Sequence, residues 1–208
     1  MIGIDGTRNG WITAEYTGKT WRLEFHEELE TIEAGEALID IPVGLSEDSI
    51  RKCDVQARKF LAPERHYSIF NCPVRDAVYA DSYEEACKIN EEKTGKRISK
   101  QSWNIVPKIR EANEYSGSLE LKESHPEVFF KSLKKRCVKN SKNTDEGLED
   151  RLNVLKNYGS IPDFESIDDS GVSKDDCVDA MVLALGTEFS LESIGGNEGS
   201  GILKPSIS

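Results

Sequence analysis

The sequence predicts a single α/β domain, and three observations support this fold class. The first 26 residues alternate between apolar and polar positions and contain an Asn-Gly turn at residues 9 and 10, which is typical of a β-meander. Residues 37–41 form a nearly continuous apolar run, as expected for a strand covered on both faces. Several later segments carry apolar residues at helical spacing, which indicates helices around the strands.

The strands can be placed in chain order from these patterns. They are predicted at residues 2–5, 11–16, 21–25, 37–41 and 119–123. A polar helical turn is expected near residues 27–34, before the fourth strand. Pro42 and Gly44 end that strand, because neither residue continues a central strand well.

The helices follow from periodicity and from signals at their ends. They are predicted at residues 47–61, 82–94, 101–116 with an interruption at Pro107, 145–157 and 174–189. Ser82 and Glu85 have the spacing of a capping box, and Gly95 fits the end of the same helix. The sequence therefore predicts a helical insertion between the fourth and fifth strands. We assign residues 1–192 to one domain and expect the Gly- and Ser-rich residues 193–208 to form a disordered tail.

Composition and charge exclude several classes of protein. The 208-residue chain has a net charge of −11, whereas proteins that grip duplex backbones non-specifically are usually basic. The five scattered cysteines lack a Cys-x-x-Cys pair, which argues against a disulfide framework and a cysteine zinc site. No apolar stretch is long enough to cross a bilayer, and the first residues enter a strand at once. We therefore expect a cytoplasmic protein without a signal peptide or membrane partner.

One basic segment is an exception to the acidic character of the chain. Residues 131–142 contain no acid and six cations, namely Lys131, Lys134, Lys135, Arg136, Lys139 and Lys142. This segment is either a local contact for a nucleic-acid backbone or a solvated helix end and loop.

Carboxylates embedded in apolar sequence are the most informative feature for function. Asp5 follows a buried strand, and Asp40 lies between Ile39 and Ile41 in a core strand. Burying a carboxylate costs several kcal/mol unless it is paired or binds a metal. If the two strands are neighbours, the two side chains lie about 5 Å apart across the sheet. The alternative for Asp5 is a turn residue bonded to nearby backbone.

Three further acids, Asp176, Asp179 and Glu123, and one histidine extend this set. Asp176 and Asp179 share one face of an otherwise apolar helix, while Asp175 fits the role of charge at a helix N-terminus. Glu123 ends the fifth strand. His125 is either a base or metal ligand, or a loop histidine bonded to backbone. Convergent carboxylates with a divalent cation are the machinery of phosphodiester hydrolysis.

Short motifs spread over nearly the whole chain carry a family resemblance. They are Gly3-Ile4-Asp5-Gly6-Thr7 with Gly10-Trp11, Ile39-Asp40-Ile41-Pro42-Val43-Gly44-Leu45, Arg51-x-Cys53-Asp54 with Arg58, Ser68-x-Phe70 with Pro73 and Arg75, Gln101 with Pro107-Lys108-Ile109 and Glu111, Glu123-x-His125-Pro126-Glu127 with Phe130, Lys142 with Gly147 and Arg151, and Asp175-Asp176-x-x-Asp179-Ala180. Jointly they resemble the DUF429 family, described as predicted nucleases of the ribonuclease H-like superfamily. The last motif is also similar to the final helix of Holliday-junction resolvases of that superfamily.

The resemblance implies a ribonuclease H-like, five-stranded mixed sheet flanked by helices. By analogy with the superfamily, it implies a metal site formed by Asp5 on the first strand, Asp40 on the fourth, and Asp176 or Asp179 on the last helix. One position departs from the expected pattern, because Asn113 stands where an acid would follow Glu111.

The combined prediction is a metal-dependent nuclease or phosphodiesterase that acts on nucleic acid. Asp5 would bridge two Mg²⁺ or Mn²⁺ ions about 4 Å apart, with the remaining carboxylates drawn from Asp40, Glu123, Asp176 and Asp179. The scissile phosphate would be held by Arg75, Lys108 and Lys142.

Two other functions are compatible with the sequence. A non-catalytic module on the same fold could bind a nucleotide or a protein through its cationic and aromatic groups. A phosphotransferase of the actin and sugar-kinase type is less compatible, because the chain has one such unit and lacks a second Asp-Gly phosphate loop. Substrate type and oligomeric state are left open.

Overall fold

A five-stranded mixed sheet forms the centre of the computed structural model, which describes residues 1–142, 144–164, 167, 171–196 and 201–207. Its strands are β1 (Ile2–Gly6), β2 (Trp11–Tyr16), β3 (Trp21–His26), β4 (Glu36–Ile39) and β5 (Glu120–Glu123). The spatial order is β3-β2-β1-β4-β5, with β1, β2 and β3 antiparallel and β1, β4 and β5 parallel. The predicted five-stranded mixed sheet flanked by helices is confirmed and is consistent with a ribonuclease H-like fold.

The predicted helical insertion between β4 and β5 is observed, and it contains five helices. They are α1 (Lys52–Leu61), α2 (Arg75–Val78), α3 (Tyr83–Thr94), α4 (Lys100–Asn104) and α5 (Val106–Glu114). The N-cap of α3 is Ser82, whose hydroxyl accepts from the Glu85 N–H, and Gly95 ends this helix with a φ of 73°. Pro107 occupies the first turn of α5, where its missing N–H costs nothing, so it separates α4 from α5.

Within the residues described after β5 there are three α-helices, and the last one covers the sheet. They are α6 (Pro126–Lys134), α7 (Asp145–Leu155) and α8 (Lys174–Ala184), which continues into a 3₁₀ turn at Leu185–Glu188. Residues 177–184 of α8 are buried, and the helix packs on β1, β2 and β4. None of the helices in the described part of the chain is long and apolar enough to cross a membrane.

Gly3 on β1 permits this close packing. A Cβ at Gly3 would lie 2.0 Å from the Ala180 carbonyl oxygen and 2.5 Å from the Ala184 nitrogen. Any side chain there would push α8 away from the strand, since real Cβ contacts are never this short. The glycine therefore sets how near the acidic residues of α8 lie to the end of β1.

Three features differ from the sequence-based expectations. The single turn of α2 lies in a stretch for which no helix is predicted. α6 was not predicted, because His125-Pro126 was interpreted only as the end of a strand, although Pro is favoured in the first turn of a helix. The expected disordered tail does not hold for residues 193–196 and 201–207. Strands β6 (Leu191–Ile194) and β7 (Ile202–Pro205) pair there as an antiparallel hairpin.

The hairpin is fastened to the domain by burial and by one bridge. Ile194 and Ile202 are buried against α1 and Val128 of α6, and Ser124 pairs with Leu203. The remaining tail residues of that prediction, 197–200 and 208, lie outside the described part of the chain.

Candidate functional site

Asp5 and Asp40 lie side by side where two parallel strands end. In the register of β1 and β4, Ile4 is opposite Ile39, and the Asp40 N–H donates to the Ile4 carbonyl oxygen at 3.0 Å. Asp5 is 7% exposed, and its Oδ1 accepts the Gly6 N–H at 2.8 Å. The expected adjacency of the two strands is therefore observed.

Asp179 reaches the same place from α8. Its side chain is 3% exposed, and its Oδ2 accepts a hydrogen bond from Lys142 Nζ at 2.6 Å. Lys142 lies between α6 and α7. We refer to Asp5, Asp40 and Asp179 as the aspartate cluster, since three separate elements of the fold contribute one carboxylate each.

The charges of the aspartate cluster act strongly on one another. The pKa of Asp5 is raised well above its usual range, first by burial and then by the charges of Asp40 and Asp179. Burial raises the pKa of Asp179 to about 6; the Lys142 ammonium opposes this shift, while the charge of Asp40 adds to it. Burial acts to lower the pKa of Lys142, but the charge of Asp179 followed by that of Asp5 outweighs it, and the pKa is raised. One lysine therefore faces three carboxylates.

The Asp176 side chain caps the N-terminus of α8. Its Oδ2 accepts the Ser173 N–H at 2.9 Å, and its own N–H donates to Ser173 Oγ at 3.2 Å, so the pair forms a capping box. Its charge still contributes, as the weakest of the named influences, to the raised pKa of Asp5. Asp176 is thus near the aspartate cluster but has a structural role of its own.

Glu123 lies in a different arrangement, which we call the arginine triad: Arg51, Asp54 and Glu123. Arg51 donates to both oxygens of Glu123, at 2.8 and 2.7 Å, and to Oδ1 of Asp54. Glu123 Oε2 also accepts the Val43 N–H at 2.9 Å. Burial raises the pKa of Glu123, while the charge and hydrogen bonds of Arg51 lower it. This carboxylate is therefore fully engaged with the protein rather than directed at the aspartate cluster.

The arginine triad also contains a group with ligand-like spacing. Ligand atoms of Cys53, Asp54 and Glu123 lie within 4.8 Å of one another. The guanidinium of Arg51 already bonds both carboxylates, and burial raises the pKa of the Cys53 thiol to about 12. A protonated thiol beside a bound guanidinium is a poor cation site, since metals bind the thiolate.

His125 and Glu127 follow β5 in the chain, at the start of α6, and line the same cavity wall as the acidic groups. His125 is the N-cap of α6, where Nδ1 accepts the Glu127 N–H at 3.1 Å and Nε2 lies 3.3 Å from the Ser68 carbonyl oxygen. This is the backbone-bonded alternative of the sequence analysis. Glu127 is 6% exposed and pairs with Arg151 through Oε1, while its buried Oε2 accepts no hydrogen bond from the described residues. Its charge contributes to the raised pKa of Asp179.

Glu127 is the site residue that the sequence did not single out. In the sequence it belongs only to a family motif, because no helix is predicted there and no other pattern marks this glutamate. A prediction of α6 would have identified it. Glu127 directly follows Pro126 in the first turn of this apolar helix, and both residues are buried there.

The cations predicted to hold phosphate occupy different places. Lys142 is at the aspartate cluster, and Lys108 lies nearby, with Nζ 2.6 Å from the Gly10 carbonyl oxygen and 4.1 Å from the Trp11 ring centroid. Burial lowers the pKa of Lys108, although the charges of Glu111 and Asp5 oppose this. Arg75 does not join them, because it pairs with Glu47 at 2.6 Å on the exposed surface.

The basic segment is divided by the fold. Lys142 joins the aspartate cluster, whereas Lys131 bonds the Phe60 carbonyl oxygen on α1. Lys134 and Arg136 line a separate shallow depression beside α7. The segment therefore does not form one continuous track leading to the carboxylates.

A cavity of about 500 Å³ connects the two acidic groups. Its wall includes all three residues of the aspartate cluster, all three of the arginine triad, and Glu127 of α6. Lys108 and Lys142 also line it, whereas Asp176 and Arg75 are not among its lining residues. This is the size range of pockets that take small organic ligands.

The hydrogen bonds of Asn113 explain why an amide stands where an acid was expected. Its amide nitrogen donates to the Pro42 carbonyl oxygen at 2.8 Å, and its oxygen accepts the Gly44 N–H at 2.8 Å. A carboxylate cannot donate, so only the amide can hold both sides of the loop that follows Asp40.

Comparison with known proteins identifies the chain at the level of the family. No curated protein and no solved structure matches it. Residues 3–194 match the model of the family described as "Protein of unknown function (DUF429)". Since this match spans the sheet, the insertion and the last helix, the chain belongs to the DUF429 family.

Proposed function

We propose that the protein is a divalent-metal-dependent nuclease or phosphodiesterase that acts on nucleic acid. The observation that carries the proposal is the aspartate cluster: three carboxylates from β1, the end of β4, and α8 meet at the wall of one cavity. Such carboxylates repel one another and are kept together in proteins by a cation or by protonation.

The donor set fits Mg²⁺ or Mn²⁺. These cations prefer carboxylate oxygens over thiolate and imidazole, and the aspartate cluster offers only carboxylates. Burial, followed by the charges of Asp40 and Asp179, raises the pKa of Asp5, and a bound cation would favour its charged form. Asp5, Asp40 and Asp179 would hold the cation, with Asp176 close enough to contribute its charge.

The residues of the chain have separable roles in this proposal. When bound, the cation supplies Lewis-acid stabilisation of phosphoryl oxygens and lowers the pKa of water. Lys142 and Lys108 would orient the phosphate group, since both ammonium groups lie beside the carboxylates. The partly unbonded carboxylate of Glu127 would accept a proton from water at the cavity wall. Glu123 would act only indirectly, by holding the Val43 N–H and Arg51 in place.

We place this activity in a reducing compartment such as the cytoplasm. All five cysteines are free thiols, and four of them are buried. Buried unpaired thiols are the usual state of cysteine in cytosolic proteins.

The decisive experiment compares the wild type with Asp5→Asn on single-stranded RNA, duplex DNA, an RNA–DNA hybrid and a branched junction, each with Mn²⁺. The substitution keeps the size of the side chain and removes the charge that a cation needs. We expect the variant to lose cleavage by several orders of magnitude while it stays folded.

A wild type that cuts none of these substrates would reject the proposal. Equal cleavage by the variant would also reject it, because the activity would then not depend on Asp5. An Asp48→Asn variant is the matched control, because Asp48 is exposed and does not line the cavity.

A non-catalytic binding module is the second candidate. It is favoured by one observation, the ion pair between Lys142 and Asp179, which neutralises part of the aspartate cluster without a cation. Calorimetric titration with Mn²⁺ separates the candidates: the nuclease requires binding that Asp5→Asn abolishes, and the module requires none.

A further inference from the structure

Tyr67 stands at the wall of the cavity with its ring in solvent. It is 62% exposed, against 38% or less for the other exposed large apolar side chains among the described residues. It lines the same cavity as the aspartate cluster. Exposing an aromatic ring to water is unfavourable, because apolar surface is better covered. A ring that the fold holds in solvent is therefore available to stack on a ligand.

The ring is held in place by a buried arginine. Arg65 is 3% exposed, donates to the Val138 and Lys139 carbonyl oxygens at 2.9 and 3.1 Å, and donates to the Tyr67 hydroxyl at 2.9 Å. Its guanidinium carbon lies 5.9 Å from the centroid of the Tyr67 ring. Because Arg65 is itself fixed, the orientation of Tyr67 is restricted before any ligand binds, which lowers the entropy cost of binding.

The cavity wall near the start of α4 carries neutral polar groups. Ser99, Gln101 and Ser102 line it, and the exposed amide of Gln101 has both donors and an acceptor. Such groups are suited to the polar edge of a base, which also presents donors and acceptors.

The cavity has few cations, and they already bond other groups of the protein. They are therefore poorly suited to bind a nucleic acid through its phosphate charges. The four that line it are Arg51, Arg65, Lys108 and Lys142. Each already bonds a carboxylate or a backbone carbonyl oxygen of the protein. Duplex binding that depends on neutralising many phosphates is poorly served by this cavity in a chain of net charge −11.

We infer that the substrate presents an unpaired base that stacks on Tyr67 beside the phosphodiester at the aspartate cluster. The inference rests on the proposed function and narrows its substrate class to single strands, loops or short oligonucleotides with exposed bases. Stacking then supplies affinity that backbone charge does not, and the dependence of binding on salt is shallow.

The test measures binding of a labelled single-stranded oligonucleotide with phosphorothioate linkages, which resist cleavage, and of its duplex, both with Mg²⁺. We expect the single strand to bind more tightly than the duplex. Tyr67→Ala should weaken single-strand binding about ten- to a hundredfold, the range for losing one base stack. Tyr67→Phe, which keeps the ring, should restore most of the affinity. Circular dichroism should show the same melting temperature for all three proteins.

Tyr79→Ala is the matched control. Tyr79 is 38% exposed and has Arg110 at 5.8 Å from its ring centroid, much like the pairing of Tyr67 with Arg65, but it does not line the cavity. We expect no change from this variant. If Tyr67→Ala has no larger effect than Tyr79→Ala, or if the duplex binds as tightly as the single strand, the inference is overturned.

A double-mutant cycle assigns the lost affinity to the base. An oligonucleotide with abasic sites should bind the wild type as weakly as the normal strand binds Tyr67→Ala, and combining the two changes should weaken binding no further. Additive losses would overturn the inference. A dinucleotide presents the same bases as a longer strand and can be added as a competitor of the labelled oligonucleotide. Strong competition indicates a small-nucleotide substrate, and weak competition indicates a longer strand.

The binding and cleavage results together show whether the stacking inference or the proposed nuclease activity fails. Cleavage of single strands that does not depend on Tyr67 would overturn the stacking inference and leave the nuclease standing. Binding that depends on Tyr67 without cleavage in Mn²⁺ would support stacking and reject the nuclease.

Discussion

The aspartate cluster and the arginine triad line the same cavity and use the same kinds of side chain, but they differ in how completely the protein satisfies them. In the triad, the Arg51 guanidinium bonds both carboxylates, and the Val43 and Cys72 N–H groups occupy remaining acceptor sites. In the cluster, Lys142 bonds Asp179, whereas the second nearby ammonium, that of Lys108, bonds the Gly10 carbonyl oxygen rather than a carboxylate. Burial is therefore common to both groups, and incomplete charge compensation is what distinguishes the aspartate cluster from the arginine triad.

The largest expected contrast is in folding stability. Glu123→Gln should lower the free energy of unfolding by about 3–5 kcal/mol, because it breaks a buried ion pair and leaves Arg51 partly uncompensated. Asp5→Asn should leave this free energy unchanged or raise it, since it removes repulsion. Urea denaturation of both variants measures the difference. Equal losses would mean that the two acidic groups are structural in the same way.

The dependence of stability on pH sharpens the comparison. The pKa of Asp179 is about 6 in the folded protein, against 3.8 ordinarily, so between about pH 4 and 6 the folded state binds more protons than the unfolded state. Stability from this group is complete below pH 4 and is lost as the pH rises through 6, by up to about 3 kcal/mol.

The measurement is denaturation in EDTA at pH 4 and pH 7. We expect the wild type to lose more stability over this range than Asp179→Asn does, because the variant cannot titrate at this position. A variant with the same loss as the wild type would contradict the raised pKa.

Divalent cations should stabilise the protein through the aspartate cluster only. Free cation at a hundred times its dissociation constant adds about 2.7 kcal/mol to the free energy of unfolding, because it binds the native state preferentially. We expect a rise in melting temperature with Mg²⁺ or Mn²⁺ that Asp40→Asn removes. Absence of any rise in the wild type at millimolar cation would show that neither acidic group binds metal.

The smallest effects separate the predicted phosphate ligands. Lys142→Met should lower cleavage about ten- to a hundredfold, as expected for losing a charge-assisted hydrogen bond to phosphate. Arg75→Ala should change cleavage less than twofold, because its exposed pair with Glu47 lies outside the cavity. Steady-state kinetics on one substrate compares the two. A strong effect of Arg75→Ala would place substrate outside the cavity.

Patterns between near neighbours in the sequence predicted much of this protein. Alternation placed β2 and β3, the apolar run placed β4, and Ser82 with Gly95 delimited α3. These signals are readable because side-chain periodicity and helix capping depend on residues a few positions apart. The acids Asp5 and Asp40 stood out for the same reason, since each lies in an otherwise apolar run of the sequence.

Only the tertiary structure decided which acids are left incompletely compensated. Arg51 meets Glu123 across 72 positions of the chain, and Lys142 meets Asp179 across 37. The hairpin of β6 and β7 likewise depends on burying Ile194 and Ile202 against α1 and α6, and its Gly- and Ser-rich surroundings carry no local strand signal. Such partners are brought together by the packing of the sheet and its helices, because charge compensation and burial act through space rather than along the chain.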